Sequence, residues 1–94
     1  MLAPKPDPAA ESLITYPSEF AIKVMGDKAP GFVEAITAIA AQFDPNYDPN
    51  NVQIRPSKGG RYLGVTVTVT ATSRAQLDDL YRALSGHAMV KVVL

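Results

Sequence analysis

The sequence predicts an α+β domain in which two helices cover one face of a four-stranded antiparallel sheet. Four segments alternate apolar and polar residues with a period of two. Two others repeat apolar residues at helical spacing, and the six follow one another as β-α-β-β-α-β. In each strand only one alternate set is fully apolar, so one sheet face is expected to be covered and the other open.

The elements are read in chain order. Met1 to Glu11 is proline-rich with little to bury, and is expected to be a disordered N-terminal tail. A single domain is expected over residues 12–94. Ser12 to Pro17 leads in, with Leu13, Ile14 and Tyr16 available to pack on the domain's edge. Ser18 to Met25 reads as the first strand, with Phe20, Ile22 and Val24 inward, and Gly26 and Asp27 end it. Pro30 is expected to open the first helix, where its missing N–H has no intrahelical partner to lose. Phe32, Ile36, Ile39, Ala40 and Phe43 form its apolar stripe, and Asp44-Pro45 stops it.

Asn46 to Asn51 is loop. Val52 to Ser57 is a short second strand with Val52 and Ile54 inward, and Pro56 suits an edge strand or a strand end better than a central strand. Lys58-Gly59-Gly60 signals a hairpin, because glycine supplies positive φ at low cost. Arg61 to Ala71 is the clearest strand: Leu63, Val65, Val67, Val69 and Ala71 face one way, Tyr62, Gly64, Thr66, Thr68 and Thr70 the other. Ser73 begins the second helix, and with Gln76 it fits a capping box in which each side chain satisfies the other's backbone N–H. Leu77, Leu80, Tyr81 and Leu84 form its stripe, and Gly86 is its expected cap. Ala88 to Leu94 is the fourth strand, with Val90, Val92 and Leu94 as the expected buried set. A ferredoxin-like βαββαβ sandwich satisfies this order, with the first and third strands central and the second and fourth at the edges.

Composition narrows the function classes. The chain of 94 residues is 47% hydrophobic and 19% charged, with nine basic and nine acidic residues. A net charge of zero gives no global pull toward nucleic acid or an anionic membrane. The absence of cysteine excludes disulfides, thiolate metal sites and a cysteine nucleophile. No apolar run reaches transmembrane length, and the first residues lack a signal peptide's hydrophobic region. The cytoplasm is the expected compartment, and no membrane partner is expected.

Several segments, in order and at matching spacing, resemble the YbeD-like family of small bacterial proteins of unknown function. They are Tyr16-Pro17, Phe20, Lys23-Val24-Met25-Gly26, Pro56-Ser57-Lys58-Gly59 with Tyr62, and the closing Val90-Lys91-Val92-Val93-Leu94. The resemblance runs from Ser12 to Leu94 and implies a fold similar to ACT-type regulatory domains, which bind amino acids and control metabolic enzymes. In such domains the turn after the first strand helps enclose the ligand, which would place Gly26, Asp27 and Lys28 at a binding site. The hairpin departs from the usual family pattern, with a glycine pair and Arg61 in place of a second serine before the lysine.

Candidate sites are few. His87 is the sole histidine and sits in an expected turn without a nucleophile or carboxylate motif beside it. Glu34, Asp78 and Asp79 fall on expected helix exteriors, and Asp78 with Arg82 is spaced for an i,i+4 pair. No catalytic residue, metal site or cofactor fingerprint is read from the chain, which points to a non-enzymatic regulatory or interaction domain. An acylphosphatase-like hydrolase on this topology would need an arginine after the first strand, where the chain has Gly26-Asp27-Lys28-Ala29-Pro30. The hairpin residues Lys58, Gly59 and Arg61 suit an anion-binding nest, beside the simpler reading of a tight solvated turn. The open sheet face carries Lys23, Arg55, Tyr62 and Lys91 and raises nucleic-acid binding as the alternative function. That reading is disfavoured because Tyr62 is the only aromatic there on which a base would stack. The expected partners are a small metabolite or another protein, a second copy of the chain among them, through an exposed strand edge.

Overall fold

The computed structural model describes residues 15–94. The expected tail, with Leu13 and Ile14, lies outside the described residues. The elements are β1 (Ser18–Asp27), α1 (Phe32–Phe43), β2 (Val52–Pro56), β3 (Tyr62–Ala71), α2 (Arg74–Ser85) and β4 (Val90–Val93). They form one antiparallel sheet of order β2-β3-β1-β4, with β3 and β1 central as expected. The fold is the ferredoxin-like βαββαβ arrangement.

The core lies between the sheet and the helices. Ile22 and Val24 of β1, Val65, Val67 and Val69 of β3, Phe32, Ile36 and Ala40 of α1, and Leu80 and Leu84 of α2 form one buried cluster. Complete burial of each large aliphatic or aromatic side chain stabilises the fold by about 1.5–3 kcal/mol relative to exposure. The apolar periodicity of β1, β3 and both helices therefore has a direct physical counterpart. On the opposite face lie Ala21, Lys23, Met25 and Asp27 of β1, register partners of Thr68, Thr66, Gly64 and Tyr62 of β3.

The structure corrects several expectations. β1 continues through Gly26 and Asp27, which pair with Leu63 and Tyr62, so the turn toward α1 starts only afterwards. Gly26 is a buried strand residue: a Cβ there would fall against the Met89 carbonyl oxygen and 2.6 Å from the Phe32 ring. Pro30 lies before α1, whose N-cap is Gly31 at φ 86°, a left-handed conformation that glycine adopts without steric cost. Arg61 belongs to the hairpin rather than to β3.

The edge strands depart furthest from expectation. Ile54 pairs with Val65 and so belongs to the helical side of the sheet, yet it is 50% exposed because it sits on an edge strand that the helices do not fully cover. In β4 a register shift inserts Lys91 between the pairs Met25–Val92 and Gly26–Val90. Such a bulge reverses the alternation of the residues beyond it. Val90 and Val93 therefore pack against the core, while Val92 and Leu94, expected to be buried, are 45% and 67% exposed.

Both helix ends are tied to β3. Ser73 Oγ accepts the Gln76 N–H at 3.0 Å, as the capping box requires. The reciprocal bond lands one residue early: Gln76 Oε1 accepts from the N–H and the hydroxyl of Thr72. Gln76 Nε2 meanwhile donates to the carbonyls of Phe43 (2.6 Å) and Thr70 (3.3 Å). Gly86 caps α2 in a right-handed conformation (φ −84°) rather than the left-handed one typical of a cap glycine, its N–H donating to the Arg82 carbonyl.

Candidate functional site

At one end of the sheet, two stretches distant in sequence meet. The Lys28 N–H donates to the Arg61 carbonyl at 3.2 Å, joining the segment after β1 to the β2–β3 hairpin. The neighbouring Asp27 N–H donates to the Met89 carbonyl at 3.2 Å, so the end of β1 is held from both sides. Asp27, Lys28, Lys58 and Arg61 thus gather around this end of the fold. Gly26, buried against Phe32, contributes close packing instead of a surface toward a ligand.

The hairpin is closed by Ser57. Its N–H donates to the Tyr62 carbonyl at 2.9 Å, and its Oγ accepts the Tyr62 N–H at 3.0 Å. Gly59 and Gly60 take positive φ values of 108° and 76°, as the turn demands. The Gly60 N–H, which an anion nest would offer to its ligand, already donates to the Ser57 carbonyl at 2.9 Å.

The open face holds the second group of expected residues. Lys91 Nζ stands 3.9 Å from Asp27 Oδ2, both half-exposed, across the β4 bulge. Tyr62 lies opposite Asp27 on β3. Lys23 and Arg55 sit farther along the same face and form no ion pair among the described residues. Cross-strand register aligns Lys23 with Thr66 and Gln53, and in the next such row Met25 with Gly64 and Arg55. Because Gly64 has no side chain, the surface dips between these rows into a depression of about 340 Å³. Strand periodicity disclosed the cations and the glycine separately; their convergence follows from register across three strands.

The remaining candidates have structural partners. His87 is half-buried, and its Nδ1 accepts the Met89 N–H at 3.1 Å within the turn before β4. Asp78 pairs with Arg74 (3.5 Å), and Arg82 with Asp79 (2.9 Å), replacing the expected Asp78–Arg82 pair. Glu34 lies exposed in the first turn of α1. Among the described residues there is no cluster of three or more His, Cys, Asp or Glu able to hold a metal. No helix there is long and apolar enough to cross a membrane.

Sequence reading missed Asp44 and Tyr47. Asp44 is 4% exposed; its Oδ1 accepts the Asn46 N–H and its Oδ2 the Thr70 N–H. Tyr47 is buried in the loop that follows, its hydroxyl donating to the Asn51 carbonyl at 3.3 Å. Burial chiefly, and the Asp48 carboxylate secondarily, raise its pKa above the ordinary value of 10.0. An Asp-Pro stop signal gave no sign that the carboxylate would reach a strand.

Comparison with known proteins places the chain in a family. Residues 11–94 match the family described as "Protein of unknown function (DUF493)". A UPF0250 protein of Leptothrix cholodnii is 66% identical over 87 residues, spanning 93% of this chain and 96% of that protein. Among solved structures, protein HP0495 of H. pylori superposes with a TM-score of 0.67 at 12% identity, covering 86% of this chain and 85% of its own. The ACT domain from GTP pyrophosphokinase of Chlorobium tepidum superposes with a TM-score of 0.59 at 17% identity, covering 81% of this chain and 94% of its own. These likenesses agree with the YbeD-like resemblance and with the ACT-like fold. The chain belongs to the DUF493, or UPF0250, family of bacterial proteins of unknown function.

Proposed function

We propose that the protein is a non-enzymatic regulatory domain of the cytoplasm that senses a small metabolite. The observation that carries this reading is the open sheet face, which presents Lys23 and Arg55 without ion-pair partners among the described residues, around a depression over Gly64. The ACT-like fold, in which neighbours of the same topology serve as domains of a larger enzyme, supports the same reading. Asp27 at the end of β1, with Lys28 after it and Lys58 and Arg61 on the joined hairpin, offers further charged groups at the end of that face. A thermal-shift screen of the full chain against amino acids and common metabolites tests it. A ligand that binds the native state raises its melting temperature; a flat screen rejects metabolite sensing.

A second reading, binding of another protein or of a second copy of the chain, is favoured by one observation. β4 is an edge strand whose residues Val92 and Leu94 are exposed, and such an edge is able to pair with another strand. Sedimentation of the wild-type chain and of Val92→Lys tests the homodimer: a wild-type dimer that becomes a monomer on substitution supports it, and a wild-type monomer rejects it. Neither the fold nor the relatives support the nucleic-acid alternative.

A further inference from the structure

The open face is unevenly charged. On β3 the outward residues Tyr62, Gly64, Thr66, Thr68 and Thr70 carry no formal charge. On β1, Glu19 and Asp27 each stand four residues from Lys23, about 13 Å along an extended strand, and Asp27 is already opposite Lys91. The depression has Lys23 and Arg55 in its lining and no acidic residue. In a chain with equal numbers of basic and acidic residues, this is a local concentration of positive charge.

Backbone geometry fixes how far apart the two cations stand. They lie on opposite sides of β3, in adjacent rows of register, which places their Cα atoms about 12 Å apart. Both side chains are long enough to lean toward the gap above Gly64. The guanidinium is planar and grips carboxylate or phosphate oxygens through paired N–H donors, while the ammonium acts as a compact charge. Thr66 and Gln53 add polar groups beside them, and Met25 provides an adaptable apolar wall.

We propose that this depression is a binding site for a small dianionic metabolite, a dicarboxylate or a phosphate ester, with its oxyanion charge shared between Lys23 and Arg55. This inference rests on the metabolite-sensing reading and assigns it a place and a chemical class. Gly64 is the floor of the site. A Cβ added at Gly64 would meet only the Arg55 carbonyl oxygen, at 3.4 Å, which is ordinary contact. A larger β-branched residue would therefore fill the depression in a position that favours such residues.

The test is an NMR titration of the isotope-labelled full chain, with succinate and inorganic phosphate as separate probes and sodium chloride at equal ionic strength as the reference. Saturable amide shifts at Lys23, Arg55, Gly64 and Thr66 are expected with at least one probe, and the probe that saturates identifies the dicarboxylate or phosphate class. Gly64→Val is expected to abolish them, and Arg55→Gln to weaken binding about tenfold or more, the loss typical of a charge-assisted hydrogen bond. Arg55 is exposed on an edge strand, so its substitution keeps the test decisive should the valine variant misfold. The site is overturned if neither probe saturates, if sodium chloride reproduces the shifts, or if they centre on Lys58 and Arg61. A metabolite that stabilises wild type and both variants equally overturns this site while leaving the sensing function standing.

Discussion

The Asp44 carboxylate accepts the backbone N–H of Thr70 at 2.9 Å, joining the end of α1 to the end of β3. β2 pairs with β3 only as far as Val67, so the last residues of β3 have no strand neighbour on that side. Asp44 accepts from the Thr70 N–H and Gln76 donates to the Thr70 carbonyl. Two side chains thus replace the missing strand, and both helices are anchored to the same residue.

Replacing Asp44 by Ala is expected to lower stability by about 1–3 kcal/mol, because the Thr70 and Asn46 N–H groups both lose their acceptor. Asn at this position retains one acceptor oxygen and should lose less. Urea unfolding monitored by circular dichroism reads the difference; an unchanged midpoint for Asp44→Ala would show that solvent satisfies those groups equally well.

Gln76→Ala is expected to cost about 1–3 kcal/mol through loss of its bonds to Phe43, Thr70 and Thr72. Its effect should be non-additive with that of Asp44→Ala, since both act on Thr70. A double-mutant cycle measures this coupling, and strict additivity would count against the shared anchor.

Gly26→Ala is expected to destabilise the fold by about 3 kcal/mol, because the new methyl would collide with the Phe32 ring and the Met89 carbonyl. Gly64→Ala, whose methyl would make only an ordinary contact with the Arg55 carbonyl oxygen, should fall within about 0.5 kcal/mol of wild type or above it. Melting temperatures of the two variants, compared side by side, check the contrast between a packing glycine and a surface glycine.

Alkaline pH should weaken the fold through Tyr47. Its folded pKa is raised, so the unfolded chain loses the phenolic proton first. Stability is therefore fully present below the unfolded value near 10.0 and falls as pH rises through it toward the folded value. In Tyr47→Phe this part of the alkaline loss should disappear, at the expense of the hydrogen bond to Asn51. Denaturation midpoints from pH 8 to 11, about the range over which a phenol titrates, test the difference in slope.

The sequence by itself determined the element order, the central positions of β1 and β3, and most of the core. Apolar periodicity is a local property, and the covered face reads it directly at Ile22, Val24, Val65, Val67 and Val69. Family membership was legible from short motifs for the same reason. Tertiary structure decided what depends on coverage, register and distant partners. Val92 and Leu94 look like core residues in the sequence, but a bulge at Lys91 turns them to the open face. Gly26 reads as a turn, but the Phe32 ring makes it a packing position. Lys23 and Arg55 acquire a common depression only because β3 lies between their strands in one register, with a glycine where a side chain would have filled the gap.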